Sequence, residues 1–245
     1  IIFCNMSKIH FGVIKFRKWV VNLAIIFVIA LVGSMAIFAG VSSVQTSTVS
    51  GVYYNGDKNS NNVSLMINVY WGSEYLDDIL SVLKEKNVKT TFFIGGTWAV
   101  LNEDYLQKIY ADGHEIANHG YRHKDHDKLD EQGNLNEIST THKIIKELLG
   151  VDMTLFAPPS GAYDSLTVTC AQSLGYKTIM WTRDTIDWRD KDADLIYKRA
   201  IKNAHGGDLI LMHPTEKTLE TLPKIIDYFQ TNGFNLTTVT ETIGL

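Results

Sequence analysis

Between Val63 and the carboxyl terminus, short apolar runs alternate with helical stretches, and this alternation limits the fold more than any other feature. The runs are Val63–Val69, Thr90–Ile94, His114–Ala117, Thr154–Phe156, Lys177–Trp181, Asp208–His213 and Phe234–Val239. Most are β-branched or aromatic, and Asn, Gly or Pro bounds many of them, as expected of strands. The intervening stretches carry apolar residues at helical spacing. One has Leu76, Ile79, Leu80 and Leu83; another has Leu135, Ile138, Ile145, Leu148 and Leu149, with Gly150 as its stop. Asp104–Asp112, Leu166–Leu174, Asp194–Ala204 and Leu219–Phe229 read as further helices. About seven β-α units in this order call for parallel strands joined by right-handed crossovers. Gly95-Gly96 follows a strand but lacks the glycine spacing of a dinucleotide turn, so no nucleotide is expected. The expected fold class is α/β, a distorted (β/α)7 barrel.

Ahead of this domain lies a different kind of chain. Trp19 to Gly40 is a run of about twenty-two residues whose only polar members are Asn22 and Ser34, long enough for a helix to cross a bilayer. Lys8, Lys15, Arg17 and Lys18 precede it, and the first carboxylate is Asp57. Residues 1–18 are therefore expected to be a cytoplasmic basic segment and 19–40 an uncleaved transmembrane signal anchor. The rest would lie on the extracytoplasmic side. Residues 41–62, rich in Ser, Thr, Asn and Gly, read as a flexible linker to a domain at 63–245.

With 45% hydrophobic and 20% charged residues, the chain has the composition of a folded protein. All 27 acidic residues follow the apolar run but only 19 of the 23 basic ones do, leaving that part near −8. Such a balance, with no basic stripe, argues against nucleic acid as a partner. The two cysteines, Cys4 and Cys170, fall on opposite sides of the expected anchor, so no disulfide framework is expected. Cys170 reads as a small buried helix residue.

In a barrel, the carboxyl ends of the strands converge on one face, where ligands and metals bind. The residues there are Asn68 after the first strand, His119 and His123 after the third, and Ala157-Pro158-Pro159-Ser160-Gly161 after the fourth. Asp184, Asp187 and Trp188 follow the fifth, and His213-Pro214 the sixth. Two histidines four residues apart can reach one metal if the loop turns like a helix. His213 beside a carboxylate suits a general acid in metal-assisted hydrolysis. Tyr70, Trp71, Tyr163 and Trp188 are aromatics near these ends that could stack on sugars.

The order of these motifs resembles the polysaccharide deacetylases of carbohydrate esterase family 4, the NodB-homology domain, over essentially all of Val63–Leu245. His119-Gly-Tyr-Arg-His123 is similar to that family's two-histidine motif, with Gly120 where Ser or Thr is usual. Pro158-Pro159-Ser160-Gly161 resembles its groove segment, Asp187-Trp188 its Asp-Trp motif, and Leu211-Met212-His213 its Leu-x-His motif. Lys89–Ile94 is similar to its second strand. The resemblance implies a barrel that removes N-acetyl groups from amino-sugar polysaccharides such as peptidoglycan or chitin-like chains. It implies a divalent metal, Zn²⁺ for example, held by an Asp and by His119 and His123. A second Asp would act as base, and His213, tuned by Asp187, as acid. Pro159, Ser160, Gly161, Trp188 and Leu211 would bind the glycan. Here the pattern departs from the family. Asn68 stands at the base position, Val69 at the metal-ligand aspartate, and Ala157 at the arginine that holds the base. A carboxamide is no base at neutral pH and an isopropyl group binds no metal. The resemblance is nearest a sporulation-associated subgroup with a degenerate first motif. It leaves two expectations: a deacetylase with a rebuilt site, or a catalytically impaired glycan-binding or wall-assembly protein.

Overall fold

The computed structural model describes residues 51–245 together with Trp19, Leu23 and Phe27, which are helical and exposed. Among the described residues no helix is long and apolar enough to cross a membrane. Apart from those three residues, the span expected over 19–40 lies outside the described residues, as do residues 1–18.

The strands are β1 (Val52–Tyr53), β2 (Asn62–Val69), β3 (Thr91–Ile94), β4 (Glu115–Asn118), β5 (Leu155–Phe156), β6 (Lys177–Ile179), β7 (Arg183–Asp184), β8 (Leu209–Met212) and β9 (Asn235–Leu236). The helices are α1 (Leu76–Glu85), α2 (Gly96–Leu101), α3 (Glu103–Ala111), α4 (Glu131–Leu149), α5 (Ser165–Ser173), α6 (Ala193–Ile201), α7 (Glu216–Thr231) and α8 (Val239–Ile243). The sheet runs β1-β6-β5-β4-β3-β2-β8-β7, with β9 added to β2, and every described pairing is parallel. Only Met180, Trp181 and Thr182 separate β6 from β7. Met180 donates its N–H to Tyr53 O at 2.8 Å, and Thr182 donates to Leu209 O at 2.9 Å. One stretch of chain thus serves both margins of the sheet, the arrangement of a distorted barrel rather than an open one.

Two-residue alternation along each strand sorts the core into two layers. Leu65, Ile67 and Val69 of β2, Phe92 and Ile94 of β3, and Ile210 and Met212 of β8 pack with the helices. Met66, Phe93, Ala117, Leu155, Ala157, Leu209 and Leu211 fill the barrel interior. The helices cover the outer layer through their apolar stripes, and Asp130, Asp164, Asp192 and Thr215 cap four of them through side-chain acceptors.

Three expectations need correction. Residues 51–62 are not a tether: β1 pairs with β6, and Gly56 donates to Gly207 O at 2.8 Å. A β-carbon on Gly56 would lie 1.8 Å from Thr242 O, so this segment packs directly on the domain. Second, Phe234–Val239 is not one strand. After β9, Thr238 and Glu241 form a capping box that starts α8. Val239 there donates to Thr91 Oγ1 and Thr240 to Glu115, tying the helix to the amino-terminal ends of β3 and β4. Third, α2 was not expected. The apolar run Thr97–Leu101 is too short to show a period.

Candidate active site

The same alternation decides which side chains reach the carboxyl end of the barrel. Met66 points inward, so Asn68, two residues on, does too; Ala117 leads to His119, and Leu209 and Leu211 lead to His213. These residues line a cavity of about 410 Å³ together with Trp71, His123, Ser160, Trp181, Asp184, Trp188 and Leu211.

The histidine loop is held from three sides. Asn118 accepts the Gly120 N–H at 2.9 Å through Oδ1, an Asx turn that Gly120 completes at φ +72°. Its amide donates to Ile138 O of α4 at 2.9 Å, fixing the strand end to that helix. Glu137 of α4 accepts the N–H groups of Tyr121 and Arg122 at 2.9 and 2.7 Å. On the third side, Gly96 donates to Gly120 O and Thr97 to Tyr121 O. This contact accounts for the Gly95-Gly96 pair. A β-carbon on Gly96 would meet Thr141 Oγ1 and Tyr121 at 2.7 and 2.8 Å, and one on Gly95 would meet Tyr70 at 2.5 Å. The glycines let the loop and Tyr70 approach the backbone; they do not cradle a phosphate.

His119 donates from Nδ1 to Ala157 O at 2.8 Å, which leaves Nε2 as a bare lone pair. Burial, reinforced by His123, holds its pKa well below the usual histidine value. The His123 ring lies 5.1 Å from that of His119, and Tyr70 stacks on it at 4.7 Å. Burial lowers the pKa of His123 as well. Both imidazoles are therefore neutral at pH 7. Opposite them, His213 donates its backbone N–H to Asp187 Oδ2 at 2.6 Å and Nδ1–H to Asp187 Oδ1 at 2.8 Å. Thr218 donates to the same carboxylate from α7. Asp187 lies behind His213 and fixes the ring with Nε2 free, while Trp71 packs edge-on at 5.0 Å. Burial pushes the Asp184 carboxyl up from its ordinary value.

Of the sequence-predicted residues, Asn68, His119, His123, Ser160, Trp188, Leu211 and His213 meet at the cavity, with Asp187 supporting His213. Pro159 and Gly161 do not line it; they shape the turn that presents Ser160, which adopts φ +56°. A β-carbon on Gly161 would meet Trp181 at 2.8 Å. Trp181 and Glu137 were missed. Trp181 was legible as the residue ending the Lys177 strand, whereas nothing in the sequence marks Glu137. His142 of α4, away from the cavity, bonds to Tyr176 Oη at 2.6 Å.

The residues do not fit a metal of the implied type. Among the described residues no group of three His, Cys, Asp or Glu side chains could hold an ion. Val69 is fully buried in the outer apolar layer, facing the helices rather than His119 and His123. Asn68 lines the cavity, but its Oδ1 is buried without a hydrogen-bond partner.

The fold is a parallel barrel with a histidine pair and an Asp-supported histidine at its carboxyl rim. The polysaccharide deacetylase family profile matches residues 55–179, and the chain belongs to that family. It is 30% identical over 191 residues to a peptidoglycan-N-acetylglucosamine deacetylase of Bacillus cereus, covering 76% of this chain and 70% of that one. It is 39% identical over 188 residues to the uncharacterized Bacillus subtilis protein YlxY; the match takes in 77% of this chain but spans only 59% of that relative's length. Among solved structures, a family 4 pseudoenzyme from Bacillus anthracis superposes with a TM-score of 0.77 at 35% identity, over 78% of this chain and 68% of that one. A variant of that pseudoenzyme, described as having restored enzymatic activity, gives a TM-score of 0.77 at 34% identity, over 78% and 71%.

Proposed function

We propose that this chain binds N-acetylated amino-sugar polysaccharide, of the peptidoglycan or chitin-like kind, in the barrel groove, and that its acetamide hydrolysis is impaired. The observation that carries the reading is the end of β2. The family's groove is kept, but Asn68 replaces the base, and Val69 turns an aliphatic side chain into the helix layer where a metal ligand is needed. A lost base alone costs a rate factor of roughly 10² to 10⁴. The retained half still suits a sugar. Trp71 and Trp188 are exposed to about half of their surface beside the cavity, and the imidazoles of His119, His123 and His213 line it. The likeness to a pseudoenzyme supports the same view, and the restored activity of that protein's variant fits a groove that outlasts its chemistry. In this reading the domain lies outside the cytoplasmic membrane, held by the apolar span at 19–40, with a role in cell-wall or spore assembly.

The test uses the full chain and N-acetylglucosamine oligomers, with acetate release measured in added Zn²⁺ or Co²⁺ and binding measured by calorimetry. Binding without acetate release is expected. Metal-dependent turnover that His119→Ala abolishes would overturn the proposal, as would failure to bind any oligomer.

A further inference from the structure

The carboxyl rim carries a second aromatic feature, outside the cavity. Tyr54 follows β1 and keeps 45% of its surface exposed. Its hydroxyl is hydrogen-bonded to that of Tyr163, which follows the Pro159–Gly161 turn. Burial first, and the Tyr54 hydroxyl second, push Tyr163 up to about 12, so its own hydroxyl stays protonated at neutral pH. On the same side of the sheet, where β1, β6 and β5 are neighbours, Trp181 follows β6. It lines the cavity, Gly161 packs against its ring, and the preceding Met180 is bonded to Tyr53 next to Tyr54. Three separate elements therefore bring aromatic rings to one side of the rim. Single exposed aromatics are ordinary on protein surfaces. These two are fixed to each other by a hydroxyl pair, and they follow strands β1 and β5, which flank the β6 strand whose end carries the cavity-lining Trp181. Tyr54 also precedes residues 55–179, the part matched by the family profile.

A cavity of about 410 Å³ is at the small end of ligand sites, so a polymer seated there must continue over the rim. We propose that Tyr54 and Tyr163 form a distal subsite for a further sugar of the amino-sugar chain held in the groove, reached past Trp181. An amphipathic pyranose suits it: its C–H face packs on an aromatic ring, and its hydroxyls meet the phenol oxygens. The inference rests on the groove binding such a chain, as proposed above.

Calorimetry on the full chain, with the disaccharide and the pentasaccharide of N-acetylglucosamine, tests it. Tyr54→Ala and Tyr163→Ala should each weaken pentasaccharide binding about five- to tenfold and leave disaccharide binding within about twofold. Tyr54→Phe keeps the ring but breaks the hydroxyl pair, so it should weaken pentasaccharide binding less than Tyr54→Ala does and leave disaccharide binding within about twofold. Equal losses at both lengths, or none, overturn the subsite while leaving the groove reading intact. If the unaltered chain binds neither sugar, both readings fall. Tyr163 lies in the loop between the Pro159–Gly161 turn and α5, outside the sheet, so Tyr163→Ala decides the matter should Tyr54→Ala disturb β1.

Discussion

Val69→Asp restores the residue type that the family resemblance calls for, yet the structure makes it a damaging change by itself. The side chain is fully buried in the outer layer with Leu65, Ile67, Leu76 and Ile94. Removing the isopropyl group forfeits roughly 2 kcal/mol of apolar burial. The new carboxyl would have no cation beside it and would stay neutral. Holding a group of ordinary pKa near 3.9 neutral at pH 7 costs about 4 kcal/mol, at roughly 1.36 kcal/mol per unit. The sum, about 6 kcal/mol, rivals the whole stability of many domains. Because the folded pKa is raised, the folded state keeps a proton that the unfolded state loses above about 3.9. The deficit therefore grows as pH rises and shrinks to about 2 kcal/mol near pH 4. Urea unfolding followed by circular dichroism at pH 4 and 7 measures both values. Asn68→Asp, on the inner face and lining the cavity, should cost less than Val69→Asp in the same assay. A Val69→Asp protein within about 1 kcal/mol of the parent at both pH values would refute the reasoning. It would mean that the side chain turns toward His119 without penalty.

Glu137→Ala should cost about 2–4 kcal/mol, because it strands the N–H groups of Tyr121 and Arg122, and hydrogen exchange at those two amides should accelerate. Asp187→Asn should cost about 1–3 kcal/mol and shift the His213 proton from Nδ1 toward Nε2, visible in imidazole nitrogen NMR. His114 is buried, and burial, with Lys89 second, lowers its pKa to about 4; its Nδ1 accepts the Thr90 N–H at 3.3 Å, a role that protonation ends. The unfolded chain takes up that proton near pH 6.5 and the folded chain only near 4, so stability falls by roughly 2–3 kcal/mol as pH drops through this window. His114→Gln should flatten that slope in urea midpoints measured between pH 4 and 7.

What could be read from the sequence followed from periodicity. Each of the seven expected strands has a counterpart, the last of them shortened to β9, because each is a run of apolar or β-branched residues long enough to show its pattern. The two strands not expected, β1 and β7, are two residues long and carry no pattern of their own. Pairing with neighbours distant in sequence, β6 and β8, makes them strands. The site was legible wherever the chemistry sits at a strand end, as at Asn68, His119, His213 and Trp188. It was not legible where a helix reaches back. Glu137 is one acidic residue among several on α4, and only the fold shows that it faces the loop amides. The facing of Val69 lay between these cases. The motif alignment marks it as a lost ligand, but only the two-layer packing shows that the valine has joined a different part of the molecule.

That packing bears on how the altered half of the site holds together. Ala157 sits at the barrel interior with Met66, Phe93 and Leu211, with no exposed surface. An arginine there, facing Asn68 rather than a carboxylate, would be a buried unpaired charge costing about 3–5 kcal/mol. With Asn68 and Val69 in place, Ala157 is the stable choice; after Asn68→Asp alone, it would leave the new carboxylate unpaired instead. The three positions are therefore energetically coupled, and reversing them singly should be worse than reversing them together. The His119–Ala157 hydrogen bond passes through the backbone carbonyl, so it survives whichever side chain residue 157 carries. The histidine half can thus persist unchanged while the carboxylate half is replaced, as long as a shaped, sugar-sized groove is still needed.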